Sequence, residues 1–285
     1  MNSNDSFLDI VQAYLKSDKV VLPVFNQTGM RVQQEVAKAD PDVRLIEKII
    51  CSDQTLTTQV LRTANSAFFR GLNKVNSIRE AIIRLGTNEV ANIVSLSAQQ
   101  VNFRSRDPFV SGLMRKLWQH SVICAIGAQW LARQLKFDTL AMEAFTAGLL
   151  HDIGKLLILK VIEVIKSSKT VSVQPSDTFV FEVLNSLHAE QGYHLSQNWH
   201  LPDIYCHVIG AHHDAEIRAG DTLLILVRMA NKACNKMEIG LKSDPELSLE
   251  TTPEANLLGL NDIFLARLEI QMEDSLALTA RNDSG

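Results

Sequence analysis

The sequence has few cysteines, few aromatic residues and no excess of basic charge. Its four cysteines lie far apart and form no Cys-x-x-Cys pair, which argues against a disulfide framework or a zinc knuckle and favours reduced thiols in the cytoplasm. Aromatic residues make up 6% of the chain and the net charge is −4. Neither base stacking nor attraction to a phosphate backbone is therefore favoured, and we expect no nucleic acid among the partners.

Long apolar runs are missing as well. Runs such as residues 156–159 are interrupted by lysine well before the length of a membrane span. The polar residues 1–5 and those that follow them do not resemble a signal peptide. We therefore expect a cytoplasmic protein that does not associate with membranes.

Apolar residues recur at helical spacing along nearly all of the chain, and no segment has a strong strand pattern, so the predicted fold class is all-α. Turn and capping signals divide it into an N-terminal helical bundle at 1–105, a second helical region at 106–240, and a C-terminal loop and helix at 241–285. The polar stretch 167–176 is predicted to be a loop. The predicted helices are 7–16, 28–39, 43–51, 52–64, 77–86, 87–100, 108–134, 139–150, 155–166, 177–199, 202–212, 222–237 and 262–278.

Residues capable of chemistry are concentrated in the second region. His151 and Asp152 end an apolar helix, where a buried imidazole or carboxylate needs a partner, a charge or a metal. Four further histidines lie on or at the ends of other predicted helices: His120, His188, His212 and His213. Ligands spread over separate helices are how helical folds build centres for one or two metal ions.

Each candidate also has a structural explanation. His151 and Asp152 could be a hydrogen-bonded pair without a metal, and imidazoles at 212–213 would be favoured by the dipole at the end of a helix. Because His212 and His213 are adjacent, we expect only one of them, His212, to face a common site. Lys155 either faces a phosphoryl group, as its position four residues after His151 would permit on a continuous helix, or is a surface or capping lysine.

The order of these histidines around His151–Asp152 resembles the HD superfamily of metal-dependent phosphohydrolases. Several other segments resemble the HDOD family, the HD-related output domain of bacterial signalling; they are Leu22–Pro23, Ile50–Ala64 with Thr63–Phe68, Ser77–Gly86, His188–Gly192 and Trp199–Pro202. The resemblance covers most of residues 15–235. It implies an all-α, phosphodiesterase-like HD fold behind an N-terminal helical bundle, and a bacterial signalling function.

The resemblance also implies roles for the candidate residues. All five histidines and Asp152 match metal-ligand positions of HD proteins or of the related HD-GYP phosphodiesterases, so one or two divalent ions (Fe, Mn, Zn, Ni or Mg) are the implied cofactors, although many HDOD proteins have eroded metal sites and hold none. In an enzyme of this type Asp152 and Lys155 would be the catalytic candidates.

Two departures from the HD pattern bear on activity. Asn231 stands where the final HD aspartate is expected, and a neutral amide oxygen is a weaker ligand than a carboxylate. The Gly-Tyr-Pro segment of the HD-GYP enzymes is absent after His213. We therefore expect a non-catalytic regulatory module that contacts signalling proteins in trans. The alternative is a metal-dependent phosphohydrolase or phosphodiesterase that acts on a nucleotide or another phosphodiester.

Overall fold

The computed structural model describes residues 6–17, 23, 25–66, 69, 73–168 and 176–280. These residues form α-helices and three short 3-10 helices, without a β-strand among them, which confirms the all-α prediction. None of the helices in this part of the chain has the length and apolar composition needed to cross a membrane. The chain divides into two compact units, one of Val24–Asn102 and one of Met1–Pro23 with Phe103–Gly285.

The smaller unit is a bundle in which each helix packs against at least two others. Its helices are α2 (Gln27–Val36), α3 (Val43–Cys51), α4 (Gln54–Ala64), α5 (Ile78–Leu85) and α6 (Thr87–Gln100). Ser77-Ile78-Arg79-Glu80 has the sequence of a reciprocal capping box, and Gly86 stands where a helix is expected to end. Ser77 Oγ accepts from the Glu80 amide at 3.2 Å, and Gly86 ends α5 with a φ of +84°. The Glu80 carboxylate, however, accepts from the Asn76 amide rather than from Ser77.

The larger unit carries the candidate site residues. Its helices are α1 (Phe7–Leu15), α7 (Pro108–Gln134), α8 (Ala141–Leu150), α9 (Ile153–Ser167), α10 (Asp177–Asn198), α11 (Asp203–Ala211), α12 (Thr222–Lys236), α13 (Pro253–Leu258) and α14 (Asp262–Ala280). The long helix α7 is central, since it packs against α8, α9, α12 and α14. The side chains of its middle turns are almost all buried.

The first helix groups with the larger unit, whereas the sequence placed residues 1–105 together in one bundle. This helix packs against α9 and α10, and its buried apolar side chains include Ile10 and Val11. Tyr14 Oη also lies 3.4 Å from Ser168 Oγ at the end of α9. The amphipathic pattern shows that α1 buries one face, but it does not specify the helices that cover this face.

The segment predicted as a C-terminal loop and helix is more structured than expected. The predicted loop before residue 253 contains a short 3-10 helix, and the short helix α13, which was not predicted, follows it. α14 covers α7 and belongs to the larger unit. Most of the loop predicted at 167–176 lies outside the described residues, as do residues 1–5, Leu22, Ala67 and Phe68.

Candidate metal centre

The candidate residues of the larger unit meet at the ends and middles of five helices. His120 lies in the middle of α7, and His151 and Asp152 form the turn between α8 and α9. His188 is on α10. His212 and His213 directly follow α11, and all six side chains belong to two overlapping clusters that could hold metal ions. We call these five histidines and Asp152 the histidine–aspartate centre.

Two pairs of histidines face the two oxygens of one carboxylate. The Nε2 atoms of His120 and His151 are 3.2 Å apart and lie 3.4 and 3.5 Å from Asp152 Oδ2. The Nε2 atoms of His188 and His212 are also 3.2 Å apart, and they lie 3.5 and 3.4 Å from Asp152 Oδ1. The carboxylate therefore stands between two separate pairs of imidazoles.

The other ring nitrogen of these four histidines is held by the backbone. Each Nδ1 lies 2.7–2.9 Å from a carbonyl oxygen; the pairs are His120 with Ile239, His151 with Gly148, His188 with Leu184, and His212 with Ile209. A carbonyl oxygen can only accept, so each Nδ1 carries the proton and each neutral ring presents a lone pair at Nε2. Metal-bound histidines are oriented by hydrogen bonds of this kind.

These donor atoms fit divalent metal ions. Two lone pairs that face each other at 3.2 Å repel unless a cation lies between them, and two ligand atoms about 2.1 Å from one ion are separated by roughly 3.0–3.4 Å. Asp152 Oδ1 is buried and has no hydrogen-bond partner among the described residues. A buried charged oxygen without a partner is costly. One ion at each pair of imidazoles would satisfy both groups of atoms.

Burial gives the centre the charge states that ligands require. Desolvation lowers the pKa of His120, and it lowers the pKa of His188 to about 3 despite the nearby carboxylate. Burial alone would raise the pKa of Asp152, but Lys155 and the neighbouring imidazoles lower it more, so this pKa lies well below its usual range. At neutral pH the centre therefore combines neutral imidazoles at His120 and His188 with one carboxylate anion.

Both residues of the His212–His213 pair face the centre, so the prediction that only His212 would do so is wrong. The chain leaves the helix at His212, and the Asp214 amide donates to the Ala211 carbonyl in the following turn. This turn brings the His213 ring to within 4.1 Å of the His212 ring, between centroids, and 4.9 Å from the His188 ring. Adjacent side chains diverge on a regular helix but not across a turn. His213 remains exposed, unlike the other members of the centre.

Lys155 and Asn231 lie beside the centre in different ways. Lys155 Nζ is 2.7 Å from Asp152 Oδ2 and the side chain is only 12% exposed, so it is not a surface lysine. The predicted four-residue relation to His151 is broken because the helix is interrupted at 151–152. The Asn231 side chain is buried, and its amide acts to raise the pKa of His120 against the larger lowering by desolvation. A neutral amide thus adjoins a candidate ligand at the place where an acid was expected.

Close backbone contacts allow the helices that carry the candidate ligands to meet. Gly154 follows Asp152 at the start of α9, and a Cβ at this position would overlap the carbonyl oxygen of His188 on α10. Gly192, one turn after His188, is the other half of this contact. The glycine that directly follows the His-Asp-Ile run was the available sequence signal.

A further backbone contact, not predicted from the sequence, holds His120. The segment after α12 presents the Ile239 carbonyl to His120 Nδ1 at 2.9 Å. Gly240 has a φ of +121°, and a Cβ there would lie 2.9 Å from both Cβ and Nδ1 of His120. Both the positive φ and the closeness of His120 therefore require a glycine at position 240. A backbone carbonyl leaves no mark in a sequence, so only the glycine itself could have pointed to this contact.

The depressed histidine pKa values predict acid-sensitive stability of the metal-free protein. His188 stays neutral in the folded chain down to about pH 3, whereas it takes up a proton near pH 6.5 when unfolded. Its stabilising contribution is therefore complete above pH 6.5 and decreases as the pH falls towards 3. Between pH 7.5 and 5, we expect the free energy of unfolding, measured in urea, to fall by up to about 2 kcal/mol from this group. The decrease should be smaller by that amount in His188→Gln. Equal decreases in the wild type and in His188→Gln would contradict the claim that burial lowers the pKa of His188.

Comparison with known proteins identifies the family. A match to the HDOD domain covers residues 22–215. A protein of Treponema pallidum (strain Nichols), described as uncharacterized, is 28% identical over 272 residues, which is 91% of this chain and 48% of that protein. The chain thus spans about half the length of this curated relative.

Solved structures share the fold. An HDOD domain protein of unknown function from Geobacter sulfurreducens superposes with a TM-score of 0.71 at 21% identity, over 95% of both chains. A candidate metal-dependent phosphohydrolase from Shewanella amazonensis SB2B has a TM-score of 0.65 at 21% identity, over 94% of this chain and 97% of that one. A candidate signal transduction protein from Marinobacter aquaeolei VT8 has a TM-score of 0.69 at 19% identity, over 96% of this chain and 65% of that one. The HDOD match spans well over half of the sequence, and the chain therefore belongs to the HDOD family.

Proposed function

We propose that this chain is a signal-transduction module that binds divalent metal ions at the histidine–aspartate centre and acts through partner proteins rather than through turnover. One observation supports metal binding most strongly: each of the two carboxylate oxygens of Asp152 faces two imidazoles. Four rings are held by backbone carbonyls with their Nε2 lone pairs turned inward. This geometry supports a ligand set that is formed before a metal binds.

The residues divide into two metal positions. The first position comprises His120, His151 and Asp152 Oδ2; the second comprises His188, His212, His213 and Asp152 Oδ1. Divalent ions bound there would supply positive charge that compensates Asp152 and the convergent lone pairs, together with Lewis acidity. The metal itself is not identified by this donor set, because imidazole and carboxylate ligands suit several divalent ions.

Three features favour a regulatory role over turnover. The ligand side chains other than His213 are buried. Lys155, the cation that could face a phosphoryl group, is engaged by Asp152 at 2.7 Å. Asn231 supplies a buried neutral amide beside His120 in place of an acid. Each of these features limits how a substrate could be held and activated.

Metal binding would couple several helices of the larger unit. The ligands come from α7, the turn between α8 and α9, α10 and the end of α11. An ion that binds only the folded arrangement stabilises it in proportion to the logarithm of its concentration. The presence or absence of bound metal would thus be the property of the module to which signalling proteins respond in trans.

A metal-dependent phosphohydrolase is the second candidate. One observation favours it: a single carboxylate bridges two ligand sets, an arrangement suited to two-metal activation of water and clamping of a phosphoryl group. The exposed His213 marks the side from which a phosphate ester could approach. In this alternative, Lys155 would offset charge on the phosphoryl oxygens.

Elemental analysis of protein purified without chelator tests metal binding directly. We expect about two divalent ions per chain in the wild type and about one in His120→Ala and in His188→Ala, because each variant damages one position. Chelation should lower the melting temperature of the wild type. Wild-type protein that contains no stoichiometric Fe, Mn, Zn, Ni or Mg, and whose melting temperature does not respond to these ions, would refute the proposal.

A turnover assay separates the two candidates. The metal-loaded protein is incubated with a chromogenic phosphodiester such as bis(p-nitrophenyl) phosphate, and we expect no rate above that of His151→Ala. A rate at ordinary enzymatic values, about 1 per second or more, that is lost in His151→Ala would replace the regulatory module by the phosphohydrolase.

A further inference from the structure

The chain that follows the region of the HDOD match contacts both ends of the histidine–aspartate centre. The match ends at residue 215. Beyond it, the Ile239 carbonyl accepts from His120 Nδ1 at 2.9 Å. Arg228, on α12, donates through Nη1 to the carbonyl of Asp214 at 2.6 Å. Asp214 directly follows His213, so Arg228 holds the backbone beside a candidate ligand.

The guanidinium of Arg228 is itself held in place. Its Nε donates to Glu254 Oε1 at 2.7 Å, and the Glu254 side chain is fully buried while that of Arg228 is 11% exposed. Lys232 lies farther away, with Nζ 3.7 Å from Glu254 Oε2. A planar guanidinium can serve a carboxylate and a carbonyl at once in a fixed orientation. Glu254 therefore determines where Arg228 presents its second donor.

His213 depends on its backbone more than the other ligands do. The four buried histidines each donate an Nδ1 proton to a carbonyl oxygen. His213 makes no such hydrogen bond with the described residues, and it is exposed. Its place in the centre is set by the turn at 212–214, which the Asp214 amide closes onto Ala211 and which Arg228 holds from the other side.

We propose that Arg228, oriented by Glu254, is a positioning residue for His213 and thereby sets the affinity of the second metal position. This inference rests on the proposed metal-binding function. Arg228 touches no ligand side chain in this role; it fixes the backbone from which His213 projects. The C-terminal segment that carries Glu254 is thereby connected to the metal centre through one side chain.

Three variants separate positioning from general stabilisation. Arg228→Met removes both donors. Arg228→Lys keeps the charge opposite Glu254, but a single ammonium does not reproduce the fork that serves Glu254 and Asp214 together. Lys232→Met is the matched control, because it removes the other cation near Glu254 from the same helix without touching residues 212–214.

The test is a calorimetric titration of metal-free protein with Mn²⁺, followed by electron paramagnetic resonance. We expect both Arg228 variants to lose about 10–100-fold in affinity for one of two ions, the size of effect that supporting residues of metal sites produce. The spin-coupled spectrum of two adjacent ions should give way to that of an isolated Mn²⁺. Lys232→Met should retain both affinities and the coupled spectrum, even where its melting temperature falls.

Hydrogen exchange provides a readout without metal. In the metal-free protein, amides of residues 212–216 should exchange faster in both Arg228 variants than in the wild type or in Lys232→Met. If Arg228→Met fails to fold, Arg228→Lys decides the question, since it keeps a cation beside the buried carboxylate.

The outcomes distinguish the two proposals. A wild type that binds two Mn²⁺ ions, with Arg228 variants that bind both equally tightly, would overturn the positioning role and leave the metal-binding function intact. A wild type that binds no Mn²⁺ and no other divalent ion would overturn both. Equal losses in Lys232→Met and the Arg228 variants would assign Arg228 a purely structural role.

Discussion

Replacement of Asp152 with asparagine should abolish binding of divalent metal at both positions of the histidine–aspartate centre. Asp152 is the only acid in either cluster, and one of its oxygens faces each pair of imidazoles. The amide removes the anion that compensates the metal charge and places an N–H where a ligand oxygen stood. We expect the affinity to fall by more than the roughly 10–100-fold typical of supporting residues. Elemental analysis and calorimetric titration measure the loss.

Asp138→Asn is the matched control for this change. It removes the same charge from an exposed position of the larger unit, so metal stoichiometry and affinity should stay at wild-type values. The metal-dependent increase in melting temperature should disappear in Asp152→Asn and persist in Asp138→Asn. If Asp152→Asn retains two tightly bound ions, the bridging role assigned to this carboxylate is wrong.

Replacement of Gly154 with alanine should produce the largest loss of stability. The added Cβ would overlap the His188 carbonyl oxygen and lie 2.7 Å from the Gly192 amide nitrogen. Both obstacles are backbone atoms, so no side-chain rotation relieves them, and α9 and α10 must separate. We expect the free energy of unfolding in urea to fall by about 3 kcal/mol or more, the upper range of overpacking. Because the displaced helix carries His188, metal affinity at the second position should also fall.

Gly112→Ala is the corresponding control. Gly112 lies within α7, and a Cβ there would meet no atom within 4 Å. Alanine in a helix interior is more favourable than glycine by about 0.5–1 kcal/mol, so this variant should be as stable as the wild type or slightly more stable. Similar urea midpoints for Gly154→Ala and Gly112→Ala would show that α9 and α10 tolerate a wider separation than the structure indicates.

Much of the helical architecture is predictable because its signals are local. The predicted helix over 43–51 coincides with α3, and Asp53 and Asp107 cap the helices after them through their side chains. Capping depends on atoms within three residues, and amphipathic periodicity within one helix. The partners of α1 were not predicted from the sequence because they lie far away along the chain. The short helix α13 was missed although its signals are local, since Thr252 caps its start and Gly259 ends it in the left-handed conformation.

The candidate site was predictable by residue type and order rather than by geometry. The resemblance to HD proteins singled out all five histidines and Asp152, whereas adjacency in the sequence assigned one facing residue to the His212–His213 pair and helical spacing placed Lys155. Both details depend on where the chain leaves a helix, at His212 and at 151–152. Their functional roles remain predictions that the metal titrations address.

The sequence by itself determined that this protein is helical, which residues are candidate ligands, and the family to which it belongs, since these follow from local hydrogen bonding and from the order of residues. Only the tertiary structure decided that four Nε2 atoms divide between the two oxygens of Asp152 and that Arg228 links Glu254 to the turn after His213. The physical reason is that the direction of a ligand atom is set by helix packing and by backbone carbonyls from distant segments. Neither leaves a signal at the ligand's own position.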